Sequence, residues 1–191
     1  MSSKKKLIVS LSVAAAVLVA AVIAIVAVFA AANQAVSSNV KVTFRAKNVD
    51  CTVAATYQTN TKASAQAFQT IVINAADASK TYEGNVPDVD LEEGGDTGVW
   101  LELVYTITNN SSRDMKVTLA NFTNENFTVS TGADDLAAGV TIPGKVADRE
   151  ASNDIFTIRI TMTDEALKSA EDIVMNVNLA WTLEAIGYTA G

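Results

Sequence analysis

Two hydrophobic periods divide the chain. Residues 7–32 carry no charge and are apolar almost throughout, whereas beyond residue 33 apolar and polar positions repeatedly alternate. The first pattern predicts one apolar helix, and the second predicts a series of half-buried strands. At ~1.5 Å per residue a helix over 7–32 reaches about 39 Å, more than the hydrocarbon core of a bilayer.

The alternation begins with Val40, Val42 and Phe44 between Lys41, Thr43 and Arg45, and resumes with Val49, Cys51, Val53, Ala55 and Tyr57. A Lys47-Asn48 turn between the two predicts a first hairpin. Residues 68–73 predict a short strand. Val99, Leu101, Leu103, Tyr105 and Ile107 then alternate with Trp100, Glu102, Val104, Thr106 and Thr108. With a turn at Asn109-Asn110-Ser111-Ser112 and a return through Met115, Val117 and Leu119, this is the clearest hairpin in the sequence. Phe127 with Val129, and residues 139–142 ahead of Pro143-Gly144, predict two further short strands. Phe156, Ile158, Ile160 and Met162 make an apolar face backed by Thr157, Arg159 and Thr161, and Ile173, Met175, Val177, Leu179, Trp181 and Leu183 make the longest strand. Between these two, Thr163 predicts the cap of a helical stretch through Ala166, Leu167 and Ala170, with Asp164 and Glu165 at its positive end.

One face in and one face out is antiparallel behaviour. Eight or nine such strands predict an all-β fold, an antiparallel two-sheet sandwich of jelly-roll or immunoglobulin-like type, preceded by one N-terminal hydrophobic helix. The expected division is a signal peptide or membrane anchor over residues 1–32 and a single domain over residues 33–191.

Charge gives this architecture a location. The formal charge is −7, and Lys4, Lys5 and Lys6 precede the apolar run, so the remainder is more acidic still. An acidic domain repels phosphate backbones, which argues against nucleic acid as a partner, and none is expected. The lysines predict that the N-terminus stays cytoplasmic and the domain is exported across the membrane to the cell surface or beyond. Small residues at Val28-Phe29-Ala30 and Ala30-Ala31-Ala32 suit a signal peptidase, with Ala30 and Ala32 as candidate cleavage positions. A length of two dozen apolar residues suits a retained anchor, which makes the membrane itself a partner. A pilin-like subunit that keeps its helix is a third reading, from which the missing early Glu and the missing Gly ahead of the helix depart.

Candidate chemistry is sparse. The chain has no histidine, which removes the commonest general base and zinc ligand, and its one cysteine, Cys51, excludes an intrachain disulfide. The expectation is therefore that the protein is not an enzyme and has no cofactor apart from calcium. Asp88, Asp90, Glu92 and Asp96 form the densest acidic run, with oxygen ligands at alternate positions and Gly94-Gly95 for a sharp turn, the donor type that calcium takes. Asn109, Asn110, Asn121 and Asn126 each open an N-x-[ST] triplet. Trp100, opposite the apolar row of its strand, is a candidate sugar-stacking platform.

The lysine-headed apolar signal ending in small residues, the early Val40-Lys41-Val42-Thr43-Phe44 strand and the central Val104-Tyr105-Thr106-Ile107-Thr108-Asn109-Asn110-Ser111-Ser112 segment together resemble the camelysin and TasA family of exported bacterial proteins. The resemblance implies a jelly-roll-like sandwich and assembly into extracellular fibres of a biofilm matrix. The function expected is a non-enzymatic surface or matrix subunit that self-associates by strand pairing, with Val40, Val42 and Phe44 as the assembly strand that completes a neighbour. The alternative is a membrane-anchored extracellular binding domain for glycans.

Overall fold

The structure is a computed structural model that describes residues 36–61, 64–74, 81–91, 98–120, 124–132, 135–145, 150–168 and 172–187, with 84–90 described by their backbone. The expected N-terminal helix and Ala30 and Ala32 lie outside these residues. Among the described residues no helix is long and apolar enough to cross a membrane.

Ten strands run β1 (Val36–Lys47), β2 (Cys51–Thr59), β3 (Gln66–Ile73), β4 (Thr81–Leu91), β5 (Trp100–Asn109), β6 (Met115–Leu119), β7 (Phe127–Ser130), β8 (Val140–Ile142), β9 (Ser152–Met162) and β10 (Ile173–Ala185), with one helical turn, α1 (Asp164–Leu167), before the last. They form two five-stranded sheets in the orders β4-β1-β10-β6-β8 and β3-β2-β5-β9-β7. The result is a nearly all-β, sandwich-like fold. Period two makes this possible, because each strand lays its apolar set on one side: in β5 Leu101, Leu103, Tyr105 and Ile107 are fully buried while the residues between them are half-buried.

The inner faces meet in one core. At its centre Trp181 of β10 packs against Tyr105 of β5, with ring centroids 5.1 Å apart, and against Phe156 of β9 at 5.7 Å. Phe44 of β1 stacks on the same indole at 6.4 Å and meets Tyr105 edge-on at 6.1 Å. Each such pair adds about 0.5–1.5 kcal/mol to plain burial, so the two sheets are pinned to each other at this aromatic knot.

The expected faces of β9 and β10 are as observed: Phe156, Ile158, Ile160 and Met162 are buried, as are Met175, Val177, Leu179, Trp181 and Leu183. Thr163 caps α1, its hydroxyl oxygen accepting from the Ala166 N–H at 3.3 Å.

Three expectations about pairing are corrected. Neither predicted hairpin forms, since β1 and β2 lie in different sheets, and so do β5 and β6. Among the described strands only β2 and β3 follow one another within a sheet; every other connection crosses between sheets. Alternation fixes which side of a strand is buried and leaves open whether its partner is in the same sheet or the facing one. At residues 48–50 the chain turns through Asn48, at φ 55°, and enters the opposite sheet. The pairing is also not wholly antiparallel: β1 runs parallel to β10 in register from Val36↔Ile173 to Lys47↔Glu184.

β4 was not legible in the sequence. Gly84, Pro87 and the acids interrupt any alternation, yet the segment pairs with β1 as an edge strand. Val86 and Val89 face Val40 and Ser38, so β4 fits one extra residue into that interval and Pro87 sits in the bulge. Proline lacks the N–H that a regular ladder position needs, and an edge or a bulge tolerates that loss.

Candidate functional site

The candidate assembly strand is the most strongly held of the sequence-predicted sites. Val40, Val42 and Phe44 lie inside β1, 2%, 0% and 1% exposed, opposite Val177, Leu179 and Trp181 of β10. β1 is bordered by β10 on one side and β4 on the other, so its backbone is paired along both edges. The structure thus places this strand in the chain's own sandwich rather than leaving it free to complete a neighbour. Its Lys41 reaches Glu83 of β4 at 3.1 Å, and Lys47 reaches Glu184 of β10 at 2.8 Å. The second pair raises the pKa of Lys47 and lowers that of Glu184 through a side-chain hydrogen bond and charge attraction, at a solvent-accessible position.

The acidic run is divided. Asp88 falls in the β4 bulge and Asp90 pairs with Ser37, so the first half of the run is edge strand. Glu92 and Asp96 lie outside the described residues. Among the described residues no three side chains of metal-binding type gather at one point.

Trp100 is committed to protein contacts. The Arg159 guanidinium lies over its ring, 4.1 Å from the centroid, and the same arginine approaches Glu102 at 3.7 Å. The indole face that a sugar would stack on is shared with a cation. Cys51 is buried, and removal from water pushes its thiol pKa up to about 12. A thiol held protonated is unreactive.

The polar site that sequence reasoning missed lies at one end of the sandwich, where Asn109 ends β5. Its side chain is fully buried. The amide nitrogen donates to the Arg113 carbonyl at 2.9 Å and the Ile142 carbonyl at 3.0 Å. Its oxygen accepts from the Ser111 N–H at 3.0 Å and the Ser111 hydroxyl at 2.6 Å. Asp114, also buried, accepts from the Gly144 N–H at 2.9 Å. A Cβ at Gly144 would stand 2.7 Å from the Arg113 backbone, so only glycine fits there. The Asn110 N–H donates to the Asp50 carbonyl and the Ile186 N–H to the Asp114 carbonyl, each at 2.8 Å. One corner therefore ties together the connection after β1, the end of β5, the end of β8 and the end of β10. The Asn-Asn-Ser-Ser run was the available signal, but it reads equally as an exposed turn. With its amide engaged on two carbonyls Asn109 is no glycan acceptor, whereas Asn110 is exposed, its amide donating to the Thr52 hydroxyl.

The outer faces of the two sheets contrast. Around β1 and β10, outward positions carry Lys41, Arg45, Lys47, Glu83 and Glu184, with Asn176 and Asn178 between them. The other sheet is neutral over three registered rows. Val72, Thr52, Thr108 and Asn153 form the first row across β3, β2, β5 and β9. Thr70, Ala54, Thr106 and Ile155 form the second, and Ala67, Thr56, Val104 and Thr157 the third. Beyond them come the Glu102–Arg159 pair and Trp100.

The chain matches no protein-family model, and no curated protein matches it.

Proposed function

We propose that the chain is a non-enzymatic extracellular surface or matrix subunit, exported by way of residues 1–32, that assembles by strand pairing into fibres or layers. The absence of histidine from the sequence supports the non-enzymatic part, and the lysine-headed apolar run supports export. Strands that pass from sheet to sheet at almost every connection support a jelly-roll-like architecture.

The observation that carries the reading is the position of β1. It is the first strand of the sandwich, it joins the rest through residues 48–50, and it fills a slot between β4 and β10 with unbroken parallel register along β10. Joined to the other described strands through residues 48–50, β1 can leave that slot and enter the same slot of a neighbouring copy, remaking the same hydrogen bonds and apolar contacts. Exchange of identical elements is energetically cheap, and repeated head to tail it builds an open filament. Assembly by Val40, Val42 and Phe44 then means exchange of an interior strand, with the hinge at Asn48.

Arg45 and Thr182 are partners on the outer side of the β1–β10 pair. Chains carrying Arg45→Cys alone and Thr182→Cys alone, mixed before assembly and then oxidised, should join in a disulfide between different chains, since paired strands bring Cα atoms within bridging distance. Fibres that form without this mixed bond, while a doubly substituted chain closes it internally, would refute strand exchange.

A further inference from the structure

We infer that the outer face of the β3-β2-β5-β9-β7 sheet is a contact surface for a second copy of this chain, the two sandwiches packing back to back. This contact is separate from strand exchange and does not depend on it.

Charge selects the face. In a two-fold contact the same patch meets itself, so every unpaired charge near the axis meets its own kind. Across the other sheet Lys41 and Lys47 are held by Glu83 and Glu184, but Arg45 and Lys116 are set against a second copy of themselves. Across the threonine face it sets neutral side chains against neutral side chains, and the one charged pair there, Glu102 with Arg159, is already closed on itself. Of the two outer sheet faces this is therefore the one on which two copies meet fewer like charges.

Composition and size point the same way. Val72 and Ile155, 61% and 57% exposed, are the two most exposed large apolar side chains among the described residues, and both lie on this face. Threonine and valine are stiff about χ1, so packing them costs little side-chain entropy. The registered outward positions, five each on β5 and β9, four on β2, three on β3 and two on β7, at ~4.8 Å between strands and ~6.8 Å between rows, cover roughly 620 Å², the lower end of what each partner contributes to a stable interface.

The test uses the full chain in mild detergent with one cysteine added. Ala54→Cys lies in the second neutral row and Asn178→Cys on the outer face of the other sheet; both positions are exposed, and buried Cys51 stays silent. On oxidation Ala54→Cys should yield covalent homodimer at least about tenfold above Asn178→Cys, and adding Ile155→Lys or Val72→Lys should reduce it about tenfold, the equivalent of ~1.4 kcal/mol in affinity. Unchanged melting of each variant verifies folding. Equal yields from the two cysteines, no dimer, dimer insensitive to both lysines, or cross-linking to a different protein would each overturn the inference.

Discussion

Replacing Asn109 by alanine should destabilise the sandwich by about 3–5 kcal/mol. The side chain is fully buried and makes four hydrogen bonds, to Arg113, Ile142 and twice to Ser111. A neutral hydrogen bond contributes about 1 kcal/mol net, and a buried polar group left without its partner costs ~1–3 kcal/mol. Alanine leaves the Ser111 N–H and the Ile142 carbonyl each one partner short. That loss is a large share of the ~5–15 kcal/mol that holds a typical domain together. Asn109→Asp separates shape from chemistry. It keeps the acceptor for Ser111 but turns an oxygen toward two carbonyl oxygens that the amide meets at 2.9 and 3.0 Å. A buried carboxylate facing oxygens has its folded pKa raised above the unfolded one. Its contribution is then fully present below the ordinary aspartate range and is lost as pH rises through the folded pKa, so this variant should be weaker at pH 7 than at pH 4 relative to the parent. Guanidinium unfolding of residues 33–191, followed by the fluorescence of buried Trp181, measures both variants. Losses of ~0.5 kcal/mol or less, the size expected at a surface position, would refute the account of the corner as a polar hub.

Ile158→Ala and Val177→Ala should each cost about 2–4 kcal/mol by the same assay, while Thr157→Ala and Asn178→Ala, on the outer faces, cost far less; equal losses would mean the strand faces are wrong. Gly144→Ala should lower the melting temperature, because the added methyl meets the Arg113 backbone and that backbone is held by the Asn109 amide. Cys51 should resist a soluble thiol reagent in the folded chain and react once guanidinium unfolds it; rapid labelling of native protein would contradict its burial. Because burial raises the Cys51 pKa from about 9 to about 12, its contribution is complete below pH 9 and is lost as pH rises toward 12, so denaturation midpoints should fall across that window and fall less in Cys51→Ala.

Much of this fold is legible in the sequence for one physical reason: a strand with one buried face must place apolar residues at every second position. The inward sets of β5, β9 and β10 follow from that rule, and the helical turn behind Thr163 follows from its capping hydroxyl. What tertiary structure decided is everything that alternation leaves degenerate. Whether β5 turns back on itself or crosses to the facing sheet depends on where the Asn109 side chain finds carbonyl partners, and those belong to residues as distant as Ile142. The parallel β1–β10 pair joins segments more than a hundred residues apart, and no local pattern encodes it. β4 carries no alternation because its partner strand supplies the order and its edge position tolerates Pro87. The neutral threonine face was present in the sequence as scattered outward residues, and only the register of four strands brings them together into one surface.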